Sequence, residues 1–94
     1  MINDTDRQKA HQIVDDWCLS ADERAQLFDQ PDAAPQVISI HGSLHRIFEN
    51  RDQADSWIKK TNAAFDNRSA LDVMLDGGIE RVRKHLKYHL FNGY

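Results

Sequence analysis

Four of the five histidines stand in two His-x-x-x-His pairs, His41/His45 and His85/His89. That spacing sets two imidazoles one turn apart on a helix face, near enough to share a metal ion, and four imidazoles together have the donor set of a zinc site. Neither pair has a Cys or a Glu beside it to complete the ligand set. They are therefore read as surface or boundary residues, His41 as a hydrogen-bonded one at the core edge, and no metal site is assigned. Nucleophilic chemistry is poorly supplied as well. Cys18 follows Trp17 on what should be the buried side of a helix end, with no neighbouring His or cation to lower its pKa. Asp15, Asp16, Asp22 and Glu23 form a solvated charge run. Gly77-Gly78 lacks the preceding strand and the downstream Gly or Lys that a phosphate-cradling loop needs. These residues describe a protein that binds rather than an enzyme, with no cofactor required.

The chemistry that binding would use is concentrated at the C-terminal end. At about 100° per residue, Ile79, Val82, Leu86 and Leu90 lie along one side of a helix and must face a core. Tyr88 then lies opposite them and Phe91 well off that face. Tyr88, Phe91 and Tyr94 put three aromatics in the last seven residues, next to Arg81, Lys84 and Lys87. Exposed aromatics beside cations have the composition of an interface hot spot. The bland alternative is that Phe91 and Tyr94 fold back on the first helix and staple the terminus.

The elements that must hold this helix are also helical. Ala10, Ile13, Val14 and Trp17 recur at helical spacing and predict a first helix from about Asp6 to Trp17. Ser20-Ala21-Asp22-Glu23 is a capping box for a second helix, with Ala25, Leu27 and Phe28 on its apolar side. Pro31 and Pro35 break the chain over Asp29 to Pro35. Val37, Ile40, His41, Leu44, Ile47 and Phe48 then mark a third helix. Val37-Ile38-Ser39-Ile40 alone has strand character, but no second strand candidate exists to pair with it.

The 94 residues, with a formal net charge of −3, make one small domain whose own core is marginal. No run approaches the roughly twenty apolar residues that span a bilayer, so no membrane association is expected. Met1-Ile2-Asn3-Asp4 is polar and acidic, unlike a signal peptide, and a lone Cys18 fits a reducing compartment, so a bacterial cytoplasmic location is expected. The apolar stripes on the first and third helices exceed what two short helices can cover, which predicts a homodimer.

The densest pattern lies from Asp55 to Leu86. Ala54, Trp57 and Ile58 share one face of a helix begun by Asn50, and Asn62 can cap the next turn and return Phe65 to that face. Ser69, with Asp72 three residues on, has the form of a capping box before the stripe of Leu71, Met74 and Leu75. Gly77 sits where a helix ends in a left-handed residue, and Gly78 frees the chain to start again.

This order resembles the toxin-binding domain of the Xre/ParS/MbcA antitoxins, partners of RES-domain toxins. The family's run reads roughly Ala-x-x-Trp-Leu-x-x-x-Asn-x-x-Leu/Phe-x-Gly-x-x-Pro-Leu-Asp-x-x-x-x-Gly, then Val and Leu on a helix. Here it stands as Ala54, Trp57-Ile58, Asn62, Phe65, Leu71-Asp72, Gly77, Val82 and Leu86, and the resemblance covers His41 to Leu90. The family's Gly falls near Asp66-Asn67, residue types that tolerate left-handed backbone, and its Pro is replaced by Ala70. Trp57, Asn62, Phe65, Leu71 and Gly77 are the structural residues the resemblance carries over.

The resemblance implies an all-α fold: a small helical bundle in which residues 1–35 are a truncated helix-turn-helix remnant and residues 36–94 the toxin-binding domain, the two forming one unit. Between Phe28 and Val37 there is no room for a recognition helix, and no Arg or Lys to contact phosphate, so DNA binding is expected to be weak or absent. The implied partner is a RES-domain toxin that consumes NAD, inhibited by occlusion of its active site. The implied contact residues are Arg81, Lys84, Lys87, Tyr88, Phe91, Asn92, Gly93 and Tyr94. The rival readings are a DNA-binding transcriptional regulator and an orphan homodimerising module.

Overall fold

The computed structural model describes residues 4–92, with side chains from 5 to 91. Six α-helices follow in order: α1 (Asp4–Asp16), α2 (Ala21–Phe28), α3 (Ala33–Ile47), α4 (Arg51–Ser56), α5 (Ala70–Val73) and α6 (Ile79–Asn92). Between α4 and α5 lie two 3-10 turns, Trp57–Lys59 and Ala63–Phe65, and two short strands, β1 (Thr61–Asn62) and β2 (Arg68–Ser69). The fold is all-α around α3, which packs on α1 along one side and on α6 along another.

α1 ends in a Schellman arrangement: the Cys18 N–H donates to the Asp15 carbonyl at 3.0 Å and the Leu19 N–H to that of Val14 at 3.3 Å. The residue in the left-handed position is Cys18, φ 58°, where glycine would be the easy choice. This turns Cys18 outward, so it is exposed, against the expectation that it lies on the buried side of the helix end. Ser20 and Glu23 then form the reciprocal capping box of α2.

The proline-rich stretch does not hold the chain out of helix as far as expected. α3 begins at Ala33 and takes Pro35 into its first turn, where a missing N–H removes no intrahelical bond. The loop therefore shrinks to residues 29–32, and Gln30 Nε2 donates from it to the Met74 carbonyl, tying it to the turn before α6. The sequence boundary at residues 35/36 falls inside this helix, and one apolar core runs from Ala10 to Leu86 across it.

The second departure is the strand pair, which hydrophobic periodicity does not announce. Asp66 and Asn67 both take left-handed backbone, φ 59° and 65°, and reverse the chain so that Thr61 pairs with Ser69 and Asn62 with Arg68. The Asn62 side chain accepts from the Ala64 N–H at 2.9 Å and shapes the turn that delivers Phe65 to the core.

Ala10, Val14, Val37, Ile40 and Leu44 are fully buried, with Ile13 and Trp17 nearly so. The stripes of α1 and α3 pack on one another within the chain. No helix among the described residues is long and apolar enough to cross a membrane.

Candidate functional site

Ser69 caps α5 by accepting from the Asp72 N–H at 3.0 Å, and α5 runs into a widened turn over Met74–Gly78. Gly77, at φ 90°, supplies the left-handed residue that re-aims the chain. Gly78 is needed for space: a Cβ there would lie 2.6 Å from Val73 Cγ1 and 2.8 Å from the Val73 carbonyl oxygen. α6 leaves this turn with Ile79, Val82 and Leu86 buried and Leu90 half-buried, which fixes what its other faces present.

One flank of α6 meets the residues of the Trp57-to-Phe65 turn. The Phe65 ring stands edge-on to the Trp57 indole at 6.3 Å, and the His85 imidazole lies 4.9 Å from Phe65 and 6.2 Å from Trp57. The ladder continues outward, His85 to His89 at 4.4 Å and His89 to Tyr88 at 5.6 Å. Core aromatics of the two turns thus grade into surface aromatics along α6. Burial, with His89 and Arg81 nearby, pulls the His85 pKa below its ordinary 6.5, so this ring is neutral at physiological pH. Its Nε2 is buried without a hydrogen-bond partner in the described structure.

The outer end of the ladder is exposed. Tyr88 is 62% exposed and Phe91 87%, a large apolar ring pointing into solvent one residue from the end of α6. Among the described residues, packing does not account for a phenylalanine there. Lys84 pairs with Glu80 at 3.4 Å, and Lys87 is exposed. Arg81 differs from both. Its guanidinium lies 5.3 Å over the Phe65 ring and donates to the Ala64 carbonyl at 3.1 Å, bracing the turn beneath. The Asn92 side chain, Gly93 and Tyr94 lie outside the described residues. Sequence reasoning missed His85 and His89 as parts of this surface. The signal was present in their placement one position from Lys84 and Tyr88.

A second cluster sits on α3 and α4. The His41 and His45 rings are 4.2 Å apart, and Asp55 completes the pair from α4, with Oδ1 3.0 Å from His45 Nε2. The acid was missed because it lies ten residues downstream of His45 on another helix. The third donor, which neither a Cys nor a nearby Glu supplies in the local sequence, comes from the fold. Burial and the neighbouring His45 also lower the His41 pKa.

Residues 43–88 match the family model for the antitoxin Xre/MbcA/ParS C-terminal toxin-binding domain. The chain is 33% identical, over an alignment of 97 positions, to the uncharacterized protein y4oB of Sinorhizobium fredii (strain NBRC 101917 / NGR234), covering 79% of this chain and 75% of that relative. No solved structure matches. With the capped turns, the Trp57–Phe65 packing and the left-handed Gly77 all inside the matched residues, the chain belongs to the Xre/MbcA/ParS antitoxin family through its C-terminal toxin-binding domain.

Proposed function

We propose that this protein neutralises a RES-type, NAD-consuming toxin by laying α6 and the residues after it over the entrance to the toxin's active site. The observation that carries the reading is Phe91, 87% exposed at the end of a helix whose family domain binds toxins. Tyr88 and Phe91 act as the aromatic anchors, since a ring desolvated at an interface centre commonly contributes 2 kcal/mol or more, roughly thirtyfold in affinity. Lys87 and Lys84 flank them and steer association with an acidic rim. The chain carries out no catalytic step in this scheme; it excludes NAD from the toxin by occupying space.

Residues 1–35 are the reduced remainder of a DNA-binding unit in this proposal. After α2 ends at Phe28, the next helix begins at Ala33, and its inward positions Val37, Ile40 and Leu44 are committed to the core. Of its exposed positions, Pro35 and Gly42 carry no charge, and Arg46 in the last turn offers a single cation to phosphate.

Co-expression tests the proposal. A RES-type toxin encoded beside this gene should arrest growth and deplete cellular NAD, and this protein should restore both. The protein lacking residues 91–94 should fail to restore either while keeping the melting temperature of the full chain. Full rescue by the truncated protein would overturn the occlusion reading.

A further inference from the structure

We propose that His41, His45 and Asp55 form a binding site for one divalent transition-metal ion of the zinc class, which clamps α4 onto α3. One ligand atom from each residue lies within 4.8 Å of the others, so rotamer adjustments of these side chains bring all three onto a common ion. Metal–nitrogen and metal–oxygen bonds of about 2.0–2.2 Å set ligand atoms roughly 3–4 Å apart, close to the separation already present.

The three side chains are held by anchored backbone. His41 and His45 follow Ile40 and Leu44, and Asp55 follows Ala54, all three fully buried. Asn50 caps α4 by accepting from the Gln53 N–H at 3.1 Å, which fixes where Asp55 emerges. Asp55 is only 14% exposed and His45 28%, so the pocket is recessed yet open to an ion from solvent.

Carboxylate orientation is also settled. Arg51 Nε lies 3.6 Å from Asp55 Oδ2, which leaves Oδ1 for the imidazoles. The same guanidinium reaches Asp16 at 3.3 Å, so its charge is shared with a second acid. An ion would replace the His45–Asp55 hydrogen bond and keep Arg51 as the outer partner that orients the acid.

Two imidazole nitrogens and one carboxylate oxygen suit zinc and its neighbours and are poor for magnesium, which prefers an all-oxygen shell. Three protein ligands leave a coordination position for water. Because α4 leads directly into Trp57, the ion would stiffen the turn beneath the aromatic ladder.

The test is calorimetric titration of the metal-stripped full-length protein with zinc chloride at a pH where imidazole is neutral. One ion should bind per chain with a raised melting temperature, and magnesium should produce neither effect. Asp55→Asn and His41→Ala should each weaken zinc binding by at least about tenfold while leaving the circular dichroism of the metal-free protein unchanged. Should Asp55→Asn misfold, the partly exposed His41→Ala carries the comparison alone. Three results would overturn the site: no saturable zinc binding; one ion shared by two chains; or binding that survives Asp55→Asn and His41→Ala but disappears in His89→Ala.

Discussion

The Trp57 indole and the His85 imidazole lie nearly parallel, 18° between planes and 6.2 Å between centroids. This stack joins the Trp57-to-Phe65 turn to the helix that presents Tyr88 and Phe91. It also means that protonating His85 introduces charge against the face of the core, beside Arg81.

Acid should therefore weaken the fold. The pKa values of His41 and His85 are both lowered below 6.5 in the folded chain, chiefly by burial, with His45 acting on His41 and His89 and Arg81 acting on His85. The carboxylates of Asp55 and Asp16 oppose the shift at His41 without reversing it. The unfolded chain consequently binds protons first as pH falls. Stability is full above about pH 6.5 and is lost as pH drops through that value and then through the folded pKa values. Urea midpoints measured with a chelator present should fall across this window, and the double change His41→Gln, His85→Gln should flatten the dependence. An unchanged slope in that variant would contradict the assignment.

Trp57→Ala should be the most damaging single change in the C-terminal half. The indole is 7% exposed and packs on both Phe65 and His85, so its loss opens a cavity and releases two aromatic neighbours. The cost should be about 3–5 kcal/mol, comparable with the whole stability of many domains of this size. Chemical denaturation followed by circular dichroism measures it, and toxin rescue should disappear along with the fold.

Much of this architecture was readable in the residues. Ser20/Glu23, Asn50, Asn62 and Ser69 cap where their types and positions say they should, because capping is a local interaction of a side chain with the backbone two or three residues on. The left-handed pair Asp66-Asn67 was readable for the same reason. What escaped was set by tertiary geometry: the strand pair across that turn, the entry of Pro35 into a helix, and the close approach of Gly78 to Val73. The candidate surface divides in the same way. Exposure of Tyr88 and Phe91 follows from helical period alone, whereas Arg81 folding down on Phe65, and Asp55 meeting His45, depend on how separate elements pack.

The two glycines bordered by helix should respond in opposite directions to alanine. At Gly42, exposed within α3, a Cβ meets nothing within 4 Å. Gly42→Ala should therefore stabilise by about 0.5–1 kcal/mol by reducing the freedom of the unfolded chain. Gly78→Ala drives a methyl group into Val73, partly against its backbone, and should cost about 1–3 kcal/mol. Thermal melts of the two variants side by side decide this, and the predicted order fails if Gly78→Ala melts as high as Gly42→Ala.

Within the basic and aromatic surface, the positions should separate by which quantity they change. Phe91→Ala removes a ring that is 87% exposed, so stability should move by less than about 0.5 kcal/mol. If the ring anchors a toxin, affinity should fall roughly thirtyfold in the same variant. Lys87→Ala, at a rim cation, should slow association and reduce its salt dependence with little effect on dissociation. Arg81→Ala should behave differently, because its guanidinium holds the Ala64 carbonyl and covers Phe65. Removing it leaves an unmade hydrogen bond and a bared ring, about 1–2 kcal/mol of folding stability, before any contact with a partner is considered. Melting temperature set against toxin-binding kinetics for the three variants makes the comparison. A Phe91→Ala protein that melts well below the parent and binds toxin undiminished would mean that the ring serves the fold and not the partner.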